Sequence, residues 1–75
     1  MVITDSTKKV LDLIKKAQTE RDWSDGEFSR QLGIVQSQWS RIQRGIRPIT
    51  LEFLRAVAHV FPEIRWQLAD YAING

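Results

Sequence analysis

The stretch Ser24-Asp25-Gly26-Glu27-Phe28-Ser29-Arg30-Gln31-Leu32-Gly33-Ile34-Val35-Gln36-Ser37-Gln38-Trp39-Ser40-Arg41-Ile42-Gln43-Arg44-Gly45 decides the fold. Ser24 through Glu27 has the pattern of a capping box: the Ser24 hydroxyl can take the Glu27 amide while the Glu27 side chain reaches back, with Trp23 and Phe28 as its hydrophobic staple. A helix therefore starts near Asp25 and runs to Leu32, where Gly33 supplies the positive φ that ends it. Gly26 in the first turn costs about 1 kcal/mol relative to alanine, and the capping signals outweigh it. From Gln36 to Arg44 a second helix places Trp39 and Ile42 on one side and only glutamine, serine and arginine elsewhere, before Gly45 stops it. Such a helix cannot be buried all round.

Working outward, Val10, Leu13, Ile14 and Ala17 fall at helical spacing between about Ser6 and Arg21, with Thr4, Asp5 and Ser6 available as caps. Lys8, Lys9, Lys15 and Lys16 occupy the other faces, read as a solvated surface. On the C-terminal side, Thr50 caps a helix of about residues 51 to 60 whose apolar stripe is Leu51, Leu54, Val57, Ala58 and Phe61. Pro62 then opens a last helix, about Glu63 to Ile73. That helix carries two apolar faces: Ile64, Leu68 and Tyr71 on one, and Trp66, Ala69 and Ile73 on the other. The second is more than a small core needs, and is read as a dimer interface. Trp23 is expected in the core or the staple, as is Trp66 unless it serves the interface.

These periodicities, with no window of sustained alternation, predict an all-α bundle of five short helices in a single domain spanning residues 1 to 75. A chain of 75 residues has one small core and little room for a catalytic cavity. It has no cysteine, which excludes disulfide frameworks and thiol chemistry. His59 has no ligand-type residue at metal spacing, and Glu52, Glu63 and Asp70 lack a partner base, so no catalytic group, metal or cofactor is expected. Without a signal-like or membrane-spanning run, the expected setting is cytoplasmic.

Charge sharpens the reading. Residues 1 to 27 and 52 to 75 each carry a net −1, whereas between Glu27 and Glu52 there is no acid and Arg30, Arg41, Arg44 and Arg47 contribute +4, so the total of +2 has its excess in one place. The guanidinium fork suits phosphate and guanine.

Two short helices joined through Gly33, the second polar and flanked by arginine, are the elements of a helix-turn-helix at about residues 25 to 44. The run from Phe28 to Gly45, continuing through Pro48 to Leu51, Leu54, Val57 and Ala58, resembles the XRE or Cro/C1-type family of lambda-repressor-like DNA-binding domains over roughly residues 8 to 61. Its specific elements are the small Ser29, the turn glycine Gly33, Ser40-Arg41-Ile42 followed by Gly45, and the leucine-rich fourth helix.

The resemblance implies that the third helix lies in the major groove of double-stranded DNA. Gln36, Ser37, Gln38 and Arg41 would then touch base edges, glutamine pairing with adenine and arginine with guanine. Arg44, Arg47 and Ser40, with Asp25 and Gly26 at the second helix's N-terminus, would meet phosphates. The family commonly has glutamine where Asp25 stands, a serine or threonine cap where Val35 stands, and isoleucine or valine where Trp39 stands. Trp39 is read as core near Phe28 and Leu54, its indole N–H requiring a partner. The expected function is a sequence-specific, repressor-like transcriptional regulator acting as a homodimer, without a small-molecule ligand. The competing reading keeps the fold as an antitoxin-like protein-interaction module.

Overall fold

Five α-helices and one 3-10 turn account for the secondary structure of residues 4–74, the part of the chain that the computed structural model describes. In chain order they are α1 (Asp5–Glu20), α2 (Asp25–Leu32), α3 (Gln36–Gln43), α4 (Leu51–Val60), the 3-10 turn Pro62–Ile64 and α5 (Arg65–Asn74). No strand occurs among the described residues. The Cα radius of gyration is 11.3 Å. A compact domain of this length is expected at about 11 Å, so the helices form one packed unit.

Local chemistry sets the starts. The hydroxyls of Thr4, Ser24 and Thr50 each accept the backbone N–H three residues on, at 3.1 Å in all three cases, and begin α1, α2 and α4. Two of the stops are glycines. Gly33 (φ +77°) and Gly45 (φ +74°) adopt the left-handed conformation. In each case the two amides that follow fold back on the helix: Gly33 to Arg30 and Ile34 to Ser29, then Gly45 to Ile42 and Ile46 to Arg41. This paired closure satisfies carbonyls that a helix end otherwise leaves free.

One continuous core is shared by all five helices. Val10, Leu11, Ile14 and Ala17 of α1 meet Phe28 of α2, Trp39 and Ile42 of α3, Phe53, Leu54 and Val57 of α4, and Phe61, Ile64 and Leu68 beyond. Phe28 lies at its centre, 4.5 Å from the Trp39 ring and 5.9 Å from that of Phe61, and Trp39 stacks on Phe53 at 5.7 Å. α4 packs on α5 and α2, α2 on α3, and α5 returns to α1.

Trp23 packs against the core, as one of its two expected places, meeting Phe61 edge-on at 5.5 Å where α4's C-terminal end comes against the α1–α2 turn. Several other expectations are corrected here. The Glu27 side chain bonds Arg30 and Gln31 within its own helix, so only the Ser24 half of the capping box forms. On α4 the inward face is turned toward Phe53, leaving Leu51 exposed. The last helix opens with a 3-10 turn, its α-helical part beginning at Arg65. Trp66, 73% exposed, is not a core residue.

Arg21 closes the bundle where α1 ends. Its guanidinium lies 4.4 Å from the Phe61 ring centre, donates to the terminal carbonyl of α4 at Val60 (2.9 Å) and pairs with Glu63 at 3.3 Å.

Candidate nucleic-acid interface

The polar helix α3 is held by its two apolar residues. Trp39 and Ile42, both fully buried, anchor it to the core, which turns Ser37, Arg41 and Arg44 outward at i, i+4 and i+7. Gln36 is also exposed, beside Ser37 at the helix start. Gln38 and Ser40 are half-buried on the flanks. Gln38 turns toward α4 and, with Leu32, Ile34, Ile42 and Phe53, lines a shallow cavity of about 270 Å³. Of the four expected base-reading side chains, three thus share the outermost surface and the fourth is partly covered.

The arginines divide by their partners. Arg30 forms an ion pair with Glu27 one turn earlier on α2. Arg41, Arg44 and Arg47 make no ion pair with any acid among the described residues. All three are exposed, along α3 and just beyond its end. The uncompensated positive charge of this surface is therefore carried by three arginines.

The N-terminus of α2, where the amides of Asp25 and Gly26 are expected to face a phosphate, carries a carboxylate that is already engaged. Asp25, exposed at its outer edge, accepts from Gln18 Nε2 at 2.8 Å and from Trp39 Nε1 at 3.2 Å. Gln18 itself is buried; its amide nitrogen also donates to the Trp23 carbonyl at 3.1 Å and its oxygen accepts from Trp39 Nε1 at 3.3 Å. This cluster ties α1, the α2 start and α3 together and supplies the partner that the buried indole requires. The Gln18 bond holds the Asp25 carboxyl below the ordinary aspartate range against partial desolvation, with Gln43, Trp39 and the positive charge of Lys15 adding to it. Glu27 is also lowered, first by Gln31 and then by Arg30.

Gly26 and the Gln36 side chain lie close together: a Cβ at Gly26 would stand 3.2 Å from Gln36 Oε1. The first side chain of α3 thus lies across the first turn of α2. Asp25 and Gly26 sit at that N-terminus as expected from sequence, but one carboxylate is engaged and one amide side chain covers the turn.

On α5, Trp66 and Ile73 are 73% and 81% exposed, and Ala69 is exposed between them. Trp66 borders an open groove of about 620 Å³ whose walls are α1 (Lys9, Val10, Leu13) and α5 (Asp70, Tyr71). The Tyr71 and Thr7 hydroxyls bridge these helices at 2.9 Å.

Sequence reasoning missed Gln18 and Arg21 as organising residues. The signals were present, a glutamine at the edge of an apolar stripe and an arginine just after a helix, but both partners are supplied by distant segments. Among the described residues no cluster of His, Cys, Asp or Glu could hold a metal ion, and no helix is long and apolar enough to cross a membrane. No family model matches the chain, and no curated protein or solved structure matches it either.

Proposed function

We propose that the protein is a sequence-specific double-stranded DNA-binding regulator of the helix-turn-helix type, reading the major groove with α3. The observation that carries this reading is the outward face of α3: Ser37, Arg41 and Arg44 in one row, Gln36 beside it, Arg47 beyond it, and no acid in the chain between Glu27 and Glu52. Forked donors on a helix whose opposite side is locked in a core are what base and phosphate recognition needs. Arg41, Gln36 and Ser37 take the base-reading role, with Gln38 reaching from the flank. Arg44 and Arg47 take phosphates, with Ser40 as a weaker polar contact. The sequence resemblance of the Phe28 to Gly45 run to lambda-repressor-like domains supports the same reading.

One copy offers few contacts, so useful affinity calls for two. The exposed Trp66, Ala69 and Ile73 form the proposed homodimer surface, giving a pseudo-palindromic site with half-sites about 34 to 36 Å apart.

Titration of random-sequence duplex DNA at two salt concentrations tests the reading. With Arg44 and Arg47 on phosphates in each protomer, a dimer neutralises about four phosphates and loses about 100-fold in affinity between roughly 50 and 200 mM salt. Arg44→Ala lowers the salt slope by about two for the dimer. Absence of binding at low salt, or binding indifferent to salt, refutes the proposal and leaves the protein-interaction module, whose support is the engaged carboxylate of Asp25 at the α2 N-terminus.

A further inference from the structure

Of the α-helices that begin from a loop, α1, α2 and α4 start on a hydroxyl cap from Thr4, Ser24 and Thr50. The exception is α3. Its cap position is Val35, which makes no side-chain hydrogen bond and contributes only its carbonyl, to the amides of Gln38 at 3.1 Å and Trp39 at 3.4 Å. Valine is among the poorest residues at this position, because it leaves the first-turn amides without a side-chain acceptor. Packing does not explain the choice, since Val35 is 65% exposed. The exposed large apolar side chains are Val35, Ile46, Leu51, Trp66 and Ile73, and only Val35 adjoins Gln36 and Ser37 in the chain.

We infer that Val35 is a specificity-determining residue that reads a thymine through its C5 methyl group, at a base pair adjoining the one met by Gln36. This rests on the DNA-binding reading of α3. The only apolar group on a base edge in the major groove is the thymine methyl, and apolar side chains recognise it by contact. A branched aliphatic side chain at the cap position of the reading helix, just before Gln36, is placed for that contact and cannot serve a phosphate. Serine there would cap the helix and present only a hydroxyl, which bonds several bases without discriminating strongly. The valine gives up a helix cap and supplies a methyl-selective surface.

The test uses the full chain and the duplex that the wild-type protein enriches from a random pool. Each thymine is replaced in turn by deoxyuridine, which deletes the methyl and leaves every hydrogen-bonding atom unchanged. In each half-site, one replacement weakens wild-type binding by about fourfold, the equilibrium factor for burying one methyl group. Val35→Ser, verified as folded by circular dichroism, binds the thymine and uracil duplexes alike, and Val35→Ala behaves in the same direction. The inference is overturned if no replacement changes wild-type affinity, or if Val35→Ser keeps the wild-type thymine preference. If no duplex is enriched even at low salt, it is the DNA-binding reading of α3 that fails, and this inference with it.

Discussion

Replacing Trp39 with phenylalanine withdraws one N–H from the middle of the protein while keeping an aromatic ring between Phe28 and Phe53. The lost donor serves two acceptors, the Asp25 carboxylate at 3.2 Å and the Gln18 amide oxygen at 3.3 Å. Asp25 is exposed, so water replaces the indole there at small cost. Gln18 is only 8% exposed, so its oxygen is left short of a partner at about 1 to 2 kcal/mol. The missing ring atoms leave a void in a fully buried site, worth about another 1 to 2 kcal/mol. The total is about 2 to 4 kcal/mol, against roughly 4 to 11 kcal/mol for the whole domain at this chain length. The expected fall in Tm is about 13 to 25 °C. Urea denaturation followed by far-UV circular dichroism measures the free-energy loss for Trp39→Phe, Gln18→Met and the double variant, and thermal unfolding gives the fall in Tm. Because the two side chains share one network, the double variant loses about 1 kcal/mol less than the sum of the singles. Additivity within about 0.3 kcal/mol would show that the Gln18–Asp25–Trp39 cluster does not act as a unit.

Other outcomes follow from single features. Gly33→Ala meets no atom within 4 Å of its new Cβ, so its cost, about 1 kcal/mol by urea denaturation, is backbone strain alone; unchanged stability would mean that the turn can leave positive φ freely. Val35→Ser supplies α3 with the hydroxyl cap it lacks and raises stability by about 1 kcal/mol; a decrease would mean that valine contributes packing there. Asp25 and Glu27 both have carboxyls depressed by their native partners, so their stabilisation is complete above the unfolded-state pKa and lost as pH falls through the folded-state value. Urea midpoints should therefore be flat above about pH 5 and decline between about pH 4 and 2, with a shallower decline in Glu27→Gln; midpoints that rise on acidification contradict the assignment. Trp66→Glu should shift sedimentation velocity toward a monomer with no change in Tm at low concentration, whereas a wild-type protein that sediments as a monomer at high micromolar concentration sinks the proposed α5 interface.

Much of the fold was legible in local chemistry. Ser24, Thr50, Gly33 and Gly45 act through bonds within a few residues, so both ends of α2, the end of α3 and the start of α4 fall where their signals stand. The apolar spacing of α1 and the burial of Trp39 were legible for the same reason, since a 3.6-residue period reports which side of a helix avoids water. The rotation of α4 was not. Phe53 is buried and Leu51 exposed because the helix turns toward the Trp39 ring, an influence that reaches it across the core. Capping chemistry likewise places an acid at the α2 start without telling whether Glu27 closes back on Ser24 or forward on Arg30 and Gln31, which are competing contacts of similar strength.

For the candidate site, the amino-acid order by itself determined the inventory: an acid-free segment, arginine as its only charge, and a helix with apolar residues at two inward positions. Those are properties of composition and period, and they need no distant partner. Only the tertiary structure decided which groups remain available. Glu27 takes Arg30 out of the charge balance, Gln38 tips toward α4, and Gln18 reaches from α1 to occupy the carboxylate beside the amides that sequence had set facing a phosphate. Availability is set by long-range packing, because a side chain's hydrogen-bonding capacity is spent on whichever group the folded core brings within 3 Å or so, however far away it lies in the chain.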